Sequence, residues 1–255
     1  MNQLLNDIRQ AAHIVSTILL ELVELTKPGV QLSMLDELAE RRIKELGAEP
    51  ILKGYKPDWA VEPFPSAICM SVDYEICHGS HHNRTLEEGQ IITYDLAVKY
   101  KSGHADAAIT VPVGQINNQK ERLMRYTKRA MYAGIAQVRA GQKVSAIGNA
   151  IENEALKNGY QVIVQYGGHA IGEKIHMKPE IPNKYYKEDE ERFLEEGMVI
   201  CIEPMMTHGK AEVKIATDKW TAYVADGKPV AQFEEMVLVT KDGYEVLTNH
   251  LKSYE

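Results

Sequence analysis

Asp95 and Asp106 stand where carboxylates are costly. Residues 94–110 read YDLAVKYKSGHADAAIT, two apolar arms turning at Lys101-Ser102-Gly103, a pattern that predicts a β-hairpin. Acids are disfavoured in a half-buried sheet, so each needs a reason to be there. Two more acids extend the set. LEEGQIITYDL at 86–96 is echoed by LEEGMVICIEP at 194–204, which sets Glu203 against Asp95 at an offset of 108. The alternating stretch VAQFEEMVLV at 230–239 offers Glu234 as the counterpart of Asp106, with Gln232, Met236 and Leu238 on its face. Glu235 is expected on the opposite, solvated face.

Four gathered carboxylates would repel one another and lose solvation unless protons or cations neutralise them. Two divalent ions balance the charge. Oxygen donors with one imidazole suit divalent first-row ions, and no cysteine cluster competes for the role. Among nine histidines, the strongest candidate for that imidazole is His169 in YGGHAIGEKIHMKP at 166–179, where three glycines let the backbone approach a ligand. His176 follows seven residues later.

The elements that must carry these residues are written twice. Leu4, Ile8, Ala12, Val15, Leu19 and Val23 recur at helical spacing, and Lys27-Pro28-Gly29 ends that helix. A second helix is expected from Ser33, with Asp36 completing a capping box and Gly47 closing the end. Gly29, Ser33, Leu35 and Gly47 recur as Gly141, Ser145, Ile147 and Gly159, each 112 residues later, after a helix through Leu123, Met131 and Val138. The expectation is one catalytic unit over 1–255 built by internal duplication, roughly 1–115 and 116–255. It would be an α+β fold of two pseudo-symmetric halves, each a helix pair packed on an antiparallel-rich sheet.

Composition narrows the class. With 29 Lys+Arg against 36 Asp+Glu the formal charge is -7, so no bulk basic field favours nucleic acid or an anionic membrane. Cys69, Cys77 and Cys201 are odd in number, lack C-x-x-C spacing, and read as reduced thiols in a cytoplasmic protein. IVSTILL near the N-terminus is too short for a signal core, and no apolar run approaches the ~20 residues of a membrane span.

PFPSAICMSVDYEICHG at 63–79, YDLAV with GHADAAIT, YGGHAIG, ICIEPM and QFEEM together resemble, in order and spacing, the type I methionine aminopeptidases of the pita-bread fold. The resemblance runs from about residue 2 to 248. It implies removal of the N-terminal methionine from proteins and peptides with a small second residue. It implies two divalent ions, Mn, Fe, Co or Zn, with Asp106 and Glu234 bridging, Asp95 chelating one, and His169 with Glu203 completing the other. The ions would lower the pKa of an attacking water, and Glu203 would accept its proton. His78 matches the histidine near the scissile amide nitrogen, and His176 the one stabilising the oxygen of the tetrahedral intermediate. Phe64, Cys69 and Trp220 match the methionine slot, with Ile175 where an aromatic is usual. Partners implied are the N-termini of nascent proteins and a transient ribosome contact, with no stable nucleic-acid or membrane binding.

The sequence departs from the pattern at Ala170 (GHAIG for GHGIG), at Met177, and at Asp73 and Tyr74 (SVDY for SVNE). These positions are expected to border the pocket, where they would affect specificity and rate. Prolidases and proline-specific aminopeptidases share the five ligands but carry an extra N-terminal domain, which a first helix starting at residue 2 argues against. A type II enzyme needs a helical insertion for which the 27-residue interval from His176 to Glu203 leaves no room. A pita-bread binding module without catalysis would have lost ligands. A thiol hydrolase using Cys77 and His78 is disfavoured because strand neighbours point to opposite faces. Asn2 is not small, so the chain's own Met1 is expected to remain.

Overall fold

The computed structural model describes residues 3–80, 83–248 and 250–252. Met1 and Asn2, and with them the expectation about the chain's own N-terminus, lie outside the described residues. The chain opens with α1 (Gln3–Leu25) and α2 (Leu32–Glu45), followed by β1 (Glu49–Pro50), β2 (Cys69–Val72), β3 (Glu75–Cys77) and the long hairpin β4 (Ile91–Tyr100) and β5 (Gly103–Pro112). A second helix pair, α3 (Asn118–Ile135) and α4 (Val144–Lys157), leads to β6 (Gln161–Val162), β7 (Gly168–Ala170), β8 (Met177–Ile181) and a 3-10 turn over Lys187–Glu191. The remainder is all strand: β9 (Val199–Ile202), β10 (Met205–Thr207), β11 (Val213–Ile215), β12 (Ala222–Val224), β13 (Val230–Gln232), β14 (Glu235–Val239) and β15 (Tyr244–Val246).

Two sheets carry the centre of the molecule. In one, β4 pairs with β5 along one edge and with β1 and β2 along the other; the second runs β15-β14-β9-β7-β8. Every pairing in them is antiparallel. The helices cover one side of these sheets because their apolar stripes demand it. Ile8, Val15, Leu19 and Leu22 of α1 and Leu123, Met131 and Ile135 of α3 share a single continuous core with Leu96, Val98, Ile109, Ile200 and Val237 of the strands. The acids therefore lie on strands backed by packed helices, on elements stiff enough to hold like charges together.

Two local expectations are corrected. The N-cap of α2 is Gln31, with no side-chain capping bond, and Ser33 lies inside the helix. Asp36 is buried instead of capping; its Oδ1 accepts from the Ala67 amide at 2.7 Å, tying the helix to the approach to β2. The stretch 230–239 is not one continuous strand. It breaks between β13 and β14 at Phe233 and Glu234, where Glu234 forms an isolated bridge with Ala108.

Candidate metal centre

The β4–β5 register explains how two acids come to share one face. Asp95 sits opposite Ala108 and Asp106 opposite Ala97, so the two carboxylates are diagonal neighbours on the same side of the hairpin. Small partners leave that side open. Glu234 reaches it from the strand break, where its amide donates to the Ala108 carbonyl at 3.0 Å. One oxygen each of Asp95, Asp106 and Glu234 lie within 4.8 Å of one another.

The other wall comes from the second sheet. Glu203 follows β9 directly, and His169 lies on the neighbouring β7. A Cβ on Gly168 would come within 2.0 Å of the Cys201 carbonyl oxygen, so the two strands approach as closely as they do only because a glycine stands there. That approach sets His169 Nε2 3.7 Å from Glu203 Oε1. Gln232, fully buried, spans the two walls, its Nε2 lying 3.5 Å from Asp95 Oδ2 and 3.4 Å from Glu203 Oε2.

Electrostatically the group is under strain without a counter-charge. Burial pushes Asp106, Glu203 and Glu234 well above the usual carboxylate range, and their mutual repulsion adds to it. Burial lifts Asp95 to about 6 even though Gln232 and Asp106 donate to it. Desolvation brings His169 down to about 4, which leaves it a neutral imidazole at neutral pH. Asp106 Oδ1 and Glu234 Oε1 are buried with no hydrogen-bond partner. Buried, unpaired oxygens converging beside a neutral imidazole fit divalent cations and little else.

These residues form the floor of a cavity of about 1160 Å³. Its walls include His78, Ile175, His176 and an aromatic slot of Phe64 and Trp220 beside Cys69. The Phe64 and Trp220 rings meet edge to face at 5.3 Å, and the Trp220 Nε1 donates to the Glu62 carbonyl. His176 stacks edge-on against His169 at 4.6 Å, and His78 against Tyr166 at 5.5 Å. Every site residue singled out from the sequence thus lines one cavity. The alternation of 230–239 puts Gln232 on this face without revealing its task, and Tyr55, Trp59 and Tyr166 carry no sequence signal beyond being aromatic.

Three expectations fail here. Glu235 is not solvated but fully buried, accepting from the Thr248 hydroxyl, with His250 Nδ1 3.8 Å away. The strand break at Glu234 shifts the alternation, so both acids turn inward to different surroundings. Of the altered positions only Met177, with Ile175, borders the cavity; Asp73 accepts from Lys120 and from the Ile91 amide, Tyr74 is exposed, and Ala170 packs into the core. Cys77 and His78 both line the cavity, because His78 lies past the end of β3 at φ 56° and escapes strand alternation. The thiol is nevertheless raised by burial and by Asp95, which leaves no thiolate to attack.

Comparison with known proteins gives a consistent picture. The model for metallopeptidase family M24 matches residues 6–241. The chain is 37% identical over 240 residues to methionine aminopeptidase 1 of Bacillus subtilis, covering 94% of each, and 40% identical to the methionine aminopeptidase of Mycoplasma capricolum, covering 89% of this chain and 88% of that one. Its structure superposes on the crystal structure of methionine aminopeptidase from Rickettsia prowazekii with a TM-score of 0.92 at 32% identity, covering 97% and 98% of the two chains.

Proposed function

Because the chain belongs to metallopeptidase family M24 and has the pita-bread fold of the methionine aminopeptidases it matches, we propose that it removes N-terminal methionine from proteins and peptides whose second residue is small. The protein is a metal-dependent hydrolase of the type I class. The observation that carries this reading is the convergence of Asp95, Asp106, Glu203 and Glu234 with His169 on one cavity floor, two of the acids holding orphaned oxygens.

In this reading Asp95, Asp106 and Glu234 would hold one divalent ion, and His169 and Glu203, with Asp106 and Glu234 shared, would hold a second. Ions bound there would supply Lewis acidity for activating water and polarising the scissile carbonyl, and Mn, Fe, Co and Zn all suit these donors. Glu203 takes the proton from the attacking water, a role suited to a carboxylate whose surroundings raise its proton affinity. His78, lowered to about 4 by burial, enters neutral and sits beside the leaving nitrogen. His176, also lowered by burial, donates to the oxygen that gains charge in the tetrahedral intermediate. Phe64, Cys69 and Trp220 enclose the methionine side chain in an apolar slot, and Ile175 with Met177 shapes the rim against which the second residue packs.

The paired helices α1–α2 and α3–α4 and the repeated LEEG strands support a single catalytic domain over 1–255, duplicated at about residue 115. Among the described residues no helix is long and apolar enough to cross a membrane. We propose that the protein works in the cytoplasm, meeting nascent N-termini in transient contact with the ribosome. Incubation with Met-Ala-Ser and with its N-acetylated form tests the activity: free methionine should appear from the first alone. Internal cleavage, or release from the blocked peptide, would contradict an aminopeptidase.

A further inference from the structure

Behind the cavity floor lies a donor that none of these roles uses. Cys201 lies on β9, two residues before Glu203. It is fully buried. Its sulfur, a ring nitrogen of His169 and a carboxylate oxygen of Glu234 all lie within 4.8 Å of one another, a second donor triad that meets the Asp95, Asp106 and Glu234 triad at Glu234. Glu234 Oε1 is buried with no hydrogen-bond partner. The close approach of β7 and β9 at Gly168 keeps His169 beside Cys201.

We propose that Cys201 is a sulfur donor to the ion held by His169 and Glu234, which gives that end of the centre a preference for thiophilic Zn²⁺ over Mn²⁺ beyond what nitrogen and oxygen donors impose. This rests on the metallopeptidase reading above and adds a donor to it. Ligation replaces the S–H bond by a sulfur–metal bond, and the thiol proton passes to solvent.

Cobalt makes the donor visible. Co²⁺ titrated into the metal-free full chain should give a sulfur-to-cobalt charge-transfer band in the near ultraviolet. The band should persist when Cys69 and Cys77 are both replaced by alanine, and vanish in Cys201→Ser while cobalt still binds. The Zn²⁺-over-Mn²⁺ affinity ratio, measured by competition, should fall in Cys201→Ser by roughly 10- to 100-fold. Cys201→Ala serves if the serine variant does not fold. A wild-type cobalt protein without the band, or a band that survives loss of Cys201, would overturn the proposal. Failure to release methionine from Met-Ala-Ser would overturn the aminopeptidase reading alone, since the cobalt spectrum reports the sulfur donor independently of turnover.

Discussion

Glu234 and Glu235 are chain neighbours, equally buried, and both held above the ordinary carboxylate range, yet they face different surroundings. Glu234 looks across a cavity at Asp95, Asp106 and Glu203, all acids, and one of its oxygens has no partner. Glu235, lifted to about 8 by burial, does not line the cavity and is enclosed by the Thr248 hydroxyl and the His250 imidazole. A lone buried carboxylate can remain protonated among neutral partners at modest cost. Several that converge on an accessible space cannot all do so and still do chemistry, so they call for cations. What separates a ligand from a structural acid is therefore the company it keeps, since burial and residue type are the same for both.

The largest expected effect breaks the comparison directly. Asp106→Asn and Glu234→Gln should each abolish methionine release and weaken binding of both ions, whereas Glu235→Gln should keep metal content and turnover. Stoichiometric metal with normal turnover in Glu234→Gln would remove the distinction. The next effect sharpens the boundary between floor and wall: His176→Ala should lower kcat by roughly 10² to 10³ with metal content intact. A parallel loss of metal would place His176 among the ligands.

How much of this was legible follows from what each signal depends on. The helices were readable because α1 and α3 bury one stripe at 3.6 spacing, and Asp95 and Asp106 because acids stand out in an alternating hairpin. Glu235 was misread because nothing in VAQFEEMVLV announces the break at Glu234, which arises from its bridge to Ala108, more than a hundred residues away. Asp36 was misread for a similar reason: its partners, the amides of Ala67 and Ile68, are tertiary ones. Gln232 and Cys201 lay inside recognised motifs, but their place between the donors depends on how two sheets meet, which no local pattern encodes.

A smaller effect concerns specificity. Met-Ala peptides should be cut roughly 10- to 200-fold more efficiently than Met-Asn peptides, as expected when a confined rim excludes a larger side chain. Equal rates would show that Ile175 and Met177 leave the rim wide. Intact-mass measurement should likewise find Met1 retained ahead of Asn2.

The smallest effect is on stability. In the metal-free protein Asp106, Glu203 and Glu234 hold protons to higher pH than unfolded carboxylates, which titrate near ~4. The folded state therefore binds more protons, and stability falls as pH rises through the folded values. His78 and His169, lowered to about 4, lose their contribution only as pH falls below the unfolded histidine value of ~6.5, so they are silent above about pH 7. Metal-free wild type should therefore show a Tm that falls as pH rises above the unfolded carboxylate value of ~4, with Glu235, lifted to about 8, adding the same contribution with or without metal. Asp106→Asn should flatten that slope, and a metal-free slope no steeper than the metal-loaded one would mean the floor acids are not the groups titrating.

The most direct measurement follows metal and turnover together. Metal-free protein is titrated with Mn²⁺ or Zn²⁺, bound metal is counted at each addition, and hydrolysis of Met-Ala-Ser is timed in the same samples. Turnover should be absent without metal, appear as the floor fills, be lost again on chelation and be restored by reloading. Methionine release that persists at full rate after the metal has been removed would contradict the reading of Asp95, Asp106, His169, Glu203 and Glu234 as the centre on which catalysis depends.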